Sequence, residues 1–267
     1  MLSKKQIVCP ENLLKIAKTK GPIKVVIVNA GKPIAIESAK QCVDEGLIHP
    51  IFIGDKLIIE KIATDIKWDI SKYEIINEQV ENETALIAAQ LASEGKVKII
   101  VKGHIHTDIL MKAVLKRDLN LIGKKRLSHV WHMTLERNDK PFIITDGALN
   151  VLPKLETKMH VLKNSVNFAK RIGIIKPKVS ILSATEEVLE SVPSSMDAKK
   201  LTERAQNEGI DADVFGPMAF DNSVSENAAQ IKGIKNTVAG KTDILLVPNV
   251  EAGNALVKMM IYFMGAC

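Results

Sequence analysis

Short apolar runs rich in β-branched residues recur along the chain, separated by longer stretches in which apolar positions return every three or four residues. The short runs read as strands buried on both faces, and the longer stretches as amphipathic helices packed over them. Their alternation predicts parallel strands joined by crossover helices. Strands are expected over 24–28, 50–53, 73–76, 98–101, 140–145, 178–182, 213–214 and 243–247. Between them the spacing predicts helices over 82–94, 107–116, 155–172, 197–208 and 223–232, and a last one from Glu251 onward. An earlier helix opens at Gly31-Lys32-Pro33 and closes at Gly46, with proline at the start and glycine just past the end.

A chain of 267 residues suits one large domain or two of ordinary size. The change of domain is expected at 148–153, giving a first α/β domain over 1–148 and a second over 149–267. Pro153 and Pro193 are placed in connections, where a missing N–H costs nothing. The last helix runs through Val257, Met260, Ile261 and Phe263 into Gly265-Ala266-Cys267. In a parallel α/β protein such an apolar helix should lead into a further strand, so the chain is expected to be C-terminally truncated.

Composition narrows the class without naming a chemistry. Hydrophobic residues make up 46% and charged residues 25%, which indicates a packed globular protein. The net charge of +6 is scattered and aromatic residues are 4%, a poor match to a nucleic-acid binder and a fair one to a protein that attracts small anions. Cys9, Cys42 and Cys267 are too far apart for a disulfide framework or a Cys-x-x-Cys site, and are expected as reduced thiols in the cytoplasm. Met1-Leu2-Ser3-Lys4-Lys5-Gln6 leads into no run that would serve as a signal sequence, and no stretch approaches the roughly 20 apolar residues of a membrane span.

Ligands in open α/β sheets collect beyond the carboxyl ends of strands, which directs attention to four loops. Lys102-Gly103-His104-Ile105-His106-Thr107-Asp108 joins a cation and a glycine to a helix start, where Thr107 or Asp108 is a plausible cap and exposed N–H groups could hold a phosphate. An ordinary strand-to-helix turn with a solvated lysine accounts for the same residues. His104, His106, His129 and His132 lack the spacing of a metal site, and no metal is expected. Asp146-Gly147-Ala148-Leu149-Asn150, Asp221-Asn222, and Asn249 with Glu251 and Asn254 put polar groups at later strand ends. Helix capping or the helix dipole explains any one of them, Glu251 included; it is their recurrence after successive strands that points to a site.

Taken with Arg126-Leu127-Ser128-His129-Val130, Gly216-Pro217-Met218-Ala219-Phe220-Asp221-Asn222 and Val247-Pro248-Asn249-Val250-Glu251-Ala252-Gly253-Asn254, these motifs resemble phosphate acetyltransferases and, more nearly, phosphate butyryltransferases. The resemblance implies a two-domain isocitrate/isopropylmalate dehydrogenase-like fold with mainly parallel sheets and an interdomain cleft, paired as a homodimer. It implies acyl transfer between coenzyme A and inorganic phosphate, with coenzyme A as substrate and no permanently bound cofactor. Lys102, Gly103, Thr107, Arg126, Ser128, Asp146, Asn150, Asp221, Asn222, Asn249, Glu251 and Asn254 are the substrate-binding candidates, with Ser128 and Asn150 toward the phosphate or acyl end. Gly147 stands where some relatives carry a cysteine, which speaks against an acyl-cysteine intermediate. The family's serine-arginine pair and aspartate are expected beyond Cys267, so no catalytic residue is assigned.

Two other readings stay open at this level. An NAD-dependent dehydrogenase of the same fold class should show metal-ligating aspartates opposite carboxylate-binding arginines, a pattern not found here. A catalytically impaired fragment would bind coenzyme A or phosphate without making acyl phosphate.

Overall fold

A computed structural model describes residues 2–4, 9–135 and 138–267, the side chains of Asn138 and Asp139 excepted. Met1, Lys5 and Gln6, on which the N-terminal reading partly rests, lie outside the described residues. The chain divides into two compact units, Glu11–Lys124 and Met1–Pro10 with Lys125–Cys267.

The unit Glu11–Lys124 opens with α1 (Glu11–Lys18) and continues through β1 (Ile23–Val28), α2 (Pro33–Asp44), β2 (Ile48–Gly54), α3 (Lys56–Asp65), β3 (Ile75–Asn77), α4 (Glu81–Ser93), β4 (Ile99–Lys102) and α5 (Thr107–Val114). Its four strands are parallel in the order β3-β2-β1-β4. Alternation within the strands sorts the core onto two faces. Val25, Ile27 and Phe52 pack with Ile36, Ala39, Ile59 and Ala63 of α2 and α3. Val26, Val28, Ile51 and Ile53 pack with Ala85, Ala88, Ala89 and Leu110 of α4 and α5. A fully buried side chain such as Phe52 contributes about 1.5–3 kcal/mol, and this double covering is why β1 and β2 read as continuous apolar runs. Pro33 opens α2 and Gly46 follows it with φ 72°, as the glycine and proline positions predict.

The second unit carries β5 (Trp131–Leu135), β6 (Asn138–Thr145), α6 (Leu155–Arg171), β7 (Lys178–Leu182), α7 (Pro193–Asn207), β8 (Asp213–Met218), α8 (Phe220–Val224), α9 (Glu226–Ile231), β9 (Ile244–Leu246) and α10 (Val250–Met264). Its sheet runs β5-β6-β9-β7-β8, parallel except for the β5–β6 hairpin. Ile143, Val179, Ile181, Ile244 and Leu246 face α6 and α7, whereas Ile144, Leu245 and Val247 face Val257 of α10.

The α/β class with mostly parallel strands is as the pattern predicts, and the departures have local causes. The later compact unit starts at Lys125, and β6 belongs to it because it pairs with β9 (Ile143↔Ile244). Pro193 is the first residue of α7 and not part of a connection, a place where its missing N–H is equally harmless. The helix expected over 223–232 is two, parted at Ser225, whose extended backbone lets its hydroxyl cap α9 by accepting from the Ala228 N–H.

Candidate functional site

In the unit Glu11–Lys124 the loop after β4 is locked onto the end of β1. The Gly103 N–H donates to the Val28 carbonyl at 2.9 Å, and a methyl group on Gly103 would sit 2.4 Å from that oxygen, so the position excludes any side chain. His104 N–H donates to the Asn29 carbonyl at 3.0 Å, and Asn29 Nδ2 returns a bond to the His104 carbonyl at 2.6 Å. Asn29 does this from a left-handed φ of 52°, which asparagine tolerates better than most residues. Lys102 and Thr107 flank this clamp and are exposed.

The cap expected from Thr107 or Asp108 is not formed. Both are already inside α5, and a capping side chain acts from the residue before the first helical one. That residue is His106, whose Nδ1 lies 2.9 Å from Glu81 Oε2 and makes no cap bond; the carboxylate raises the histidine's pKa. Beside the clamp lies a cavity of about 220 Å³ lined by Asn29, Gly31, Asp55, Ile58, Gln79 and His104. Asp55 accepts from Leu57 N–H and Ile58 N–H as the N-cap of α3, and from Gln79 Nε2 at 2.9 Å.

In the second unit the residues just before β5 are held by side chains from several elements. The Arg126 carbonyl accepts from Asn164 Nδ2 of α6 at 2.9 Å, and the Leu127 carbonyl from Asn150 Nδ2 at 3.0 Å. The His129 carbonyl accepts from Thr145 Oγ1 at 2.7 Å, and the His129 N–H donates to Asp146 Oδ2 at 3.0 Å. Asp146 is 3% exposed, so its carboxylate needs partners; it also accepts from Ala148 N–H, Leu149 N–H and Asn150 Nδ2. Ser128 Oγ accepts a second bond from Asn164 Nδ2 at 2.9 Å.

The start of α10 meets the same loop. Asn249 Oδ1 caps the helix by accepting from the Ala252 N–H at 2.9 Å, and Asn254 Nδ2 reaches the Gly147 carbonyl at 3.4 Å. Glu251 is exposed in the first turn, where a carboxylate favours the helix dipole. Arg126, Ser128, Asp146, Asn150 and Asn254 are thus joined in one network. Asp221 and Asn222 are not joined to it, because they follow β8, two strands and so roughly 10 Å from β9. Asn222 is fully buried, and among the described residues neither polar atom of its side-chain amide has a hydrogen-bond partner.

The sequence assigns no role to Asn164, and it offers His129 as one of four histidines considered for a metal and as part of the 126–130 motif, without a role of its own. His129 packs its ring 4.8 Å from that of Trp131, and Nδ1 of the one and Nε1 of the other are buried without hydrogen-bond partners among the described residues. Burial holds the His129 pKa below its ordinary value against the opposing pull of Asp146, and burial lowers that of His132 as well. No sequence signal distinguishes Asn164 from any other polar residue of an amphipathic helix. Among the described residues no group of three or more His, Cys, Asp or Glu side chains could hold a metal ion, and no helix is long and apolar enough to cross a membrane.

These features define an α/β protein whose fixed hydrogen-bonding groups gather at the ends of its strands, a construction suited to orienting a polar ligand. The family model described as phosphate acetyl/butaryl transferase matches residues 71–266. The chain is 38% identical over 253 residues to a phosphate acetyltransferase of Rickettsia prowazekii, covering 94% of this chain and 72% of that protein. It is 36% identical over 255 residues to a phosphate butyryltransferase of Clostridium acetobutylicum, covering 94% and 84%. The crystal structure of a branched-chain phosphotransacylase from Enterococcus faecalis superposes with a TM-score of 0.80 at 31% identity, covering 91% of this chain and 86% of that one. The chain belongs to the phosphate acetyl/butaryl transferase family.

Proposed function

We propose that this protein moves an acetyl, butyryl or similar short acyl group between coenzyme A and inorganic phosphate. The observation that carries the reading is the family match over residues 71–266, which takes in the pinned segment before β5 and the loops after β4, β6, β8 and β9. In this reaction the coenzyme A thiolate attacks the carbonyl carbon of an acyl phosphate. A C–S bond forms, the C–O bond to phosphate breaks, and phosphate leaves with the electron pair. The chemistry needs charge neutralisation and donors aimed at a developing oxyanion more than it needs a covalent nucleophile.

The residues divide accordingly. Lys102 and Arg126 supply positive charge, and Thr107 with the start of α5 supplies donors for an anion. Gly103 lets the chain pass close to β1 so that Lys102 and Thr107 flank one loop. Ser128 and Asn150 serve the phosphate or acyl end. Asp146, Asn249 and Asn254 hold the loops in shape, and Asp221 and Asn222 contribute from the end of β8 and Glu251 from that of β9. The isocitrate/isopropylmalate dehydrogenase-like fold with an interdomain cleft, a cytoplasmic homodimer, coenzyme A as substrate and the absence of a permanently bound cofactor belong to the same reading, on the strength of the motif resemblance.

Thiol release tests it directly. Acetyl- and butyryl-coenzyme A should each be tried with and without phosphate, with acyl phosphate measured as the second product. Phosphate-dependent release of coenzyme A is expected. Release that is independent of phosphate, or hydride transfer to a nicotinamide in its place, would reject the assignment.

A further inference from the structure

The bond between Asn164 and Ser128 has a polarity that the neighbouring groups determine. Asn164 Nδ2 lies 2.9 Å from the Arg126 carbonyl oxygen and 2.9 Å from Ser128 Oγ. A carbonyl oxygen only accepts, so the amide must present its NH2 group to Arg126 and not its oxygen. The same NH2 carries a second hydrogen, and that one goes to Ser128 Oγ. The serine oxygen therefore accepts, leaving its own proton for another group. Among the described residues no acceptor takes it.

The carbonyls on either side of Ser128, those of Leu127 and His129, already accept from Asn150 and Thr145, and among the described residues neither takes a bond from the serine hydroxyl. We propose that Asn164 is a positioning residue that makes Ser128 a dedicated hydrogen-bond donor to an anionic oxygen of the ligand, that of phosphate or of the acyl phosphate it becomes. That Ser128 meets a ligand, and that the ligand is phosphate, rests on the transferase reading; the donor polarity follows from the geometry. Were the amide reversed, the serine would spend its proton on Asn164 Oδ1 and meet the ligand as an acceptor, which would repel an anion.

A double-mutant cycle on the full chain tests the proposal, with the dissociation constant of inorganic phosphate as readout and thiol release measured in parallel. Asn164→Ala should weaken phosphate binding about fivefold to tenfold, the size of one ordinary hydrogen bond, because the hydroxyl loses its fixed direction. Asn164→Asp, which has the same shape, should be worse, because a carboxylate takes the serine proton for itself. In a Ser128→Ala background Asn164→Ala should have no further effect, and Asn164→Asp only the smaller loss due to its charge.

A merely structural role predicts losses that stay unchanged without the serine hydroxyl, whatever their ranking, because a carboxylate at 164 also faces the Arg126 carbonyl. That result would overturn the proposal, as would a wild-type chain that binds no phosphate. Should Asn164→Ala fail to fold, the comparison of Asn164→Asp in the two backgrounds decides the matter alone. A wild-type chain that binds phosphate in the predicted pattern but releases no thiol would sink the transferase reading and leave the donor assignment standing.

Discussion

A methyl group on Gly253 would lie 2.7 Å from the Cα of Gly147, so the loop after β6 and the first turn of α10 pack backbone against backbone. Gly147 is equally hemmed in, with Gly253, Trp131 and Asn254 all within 3.3 Å of where its own side chain would begin. Glycine is required at both positions by space and not by dihedral angle, since neither has a positive φ.

Gly253→Ala is therefore expected to force the loop and helix apart. Overpacking of this kind costs about 1–3 kcal/mol, which should lower the Tm by roughly 3–10 °C. Gly209→Ala is the control, because that glycine has φ 61° but open space around it and should lose only about 1 kcal/mol. A smaller loss at Gly253 than at Gly209 would show that the contact relaxes without cost.

Replacing Asp146 by alanine removes the acceptor for three backbone N–H groups and for Asn150 Nδ2. With the carboxylate only 3% exposed, water cannot substitute freely for it. A destabilisation of about 3 kcal/mol is expected by urea unfolding, given that each stranded buried donor costs about 1–3 kcal/mol and neighbouring losses do not simply add. A midpoint within error of the wild type would mean that the network is dispensable.

Asn222 points the other way. Its buried side-chain amide has no partner among the described residues, so exchanging it for a leucine of similar size removes a desolvation cost and breaks no side-chain bond seen there. Asn222→Leu should leave the Tm unchanged or raise it. A fall of several degrees would reveal a partner for the amide, such as an internal water.

Acid should weaken the second unit through His129 and His132. Burial holds both pKa values below the ordinary value of about 6.5, so the unfolded chain binds protons that the folded one refuses. Their contribution is complete above pH 6.5 and is lost as the pH falls toward the folded values. His106, raised by Glu81 at an exposed site, acts in the opposite sense and weakly. Urea midpoints measured from pH 7.5 down to 5 should fall less steeply for a His129→Asn, His132→Asn variant than for the wild type. Parallel slopes would disprove the assignment.

Much of the fold is legible because β1 and β2 are covered on both faces and so advertise themselves as unbroken apolar runs. β5 is not legible. Trp131, His132, Met133, Thr134 and Leu135 mix polar and apolar residues, and only pairing with β6 makes them a strand. The sheet to which β6 belongs is hidden for the same reason: β6 finds its parallel partner in β9, about a hundred residues later, and local pattern carries no trace of that choice. α3 is likewise hidden, although Asp55 stands before it as a capping residue, because it follows β2 with only that residue between. At the site, Ser128, Asp146 and Asn150 are reachable through their motifs, and their convergence is what the structure adds. Asn164 is not, since its meaning depends entirely on what lies opposite.

The segment from Arg126 to His129 is fastened by Asn164 from α6, by Thr145 at the end of β6 and by Asp146 and Asn150 from the loop beyond it. A stretch tied at so many points has little freedom left to surrender when something binds to it. The cost of ordering is met during folding, and more of each contact with an incoming molecule survives as affinity.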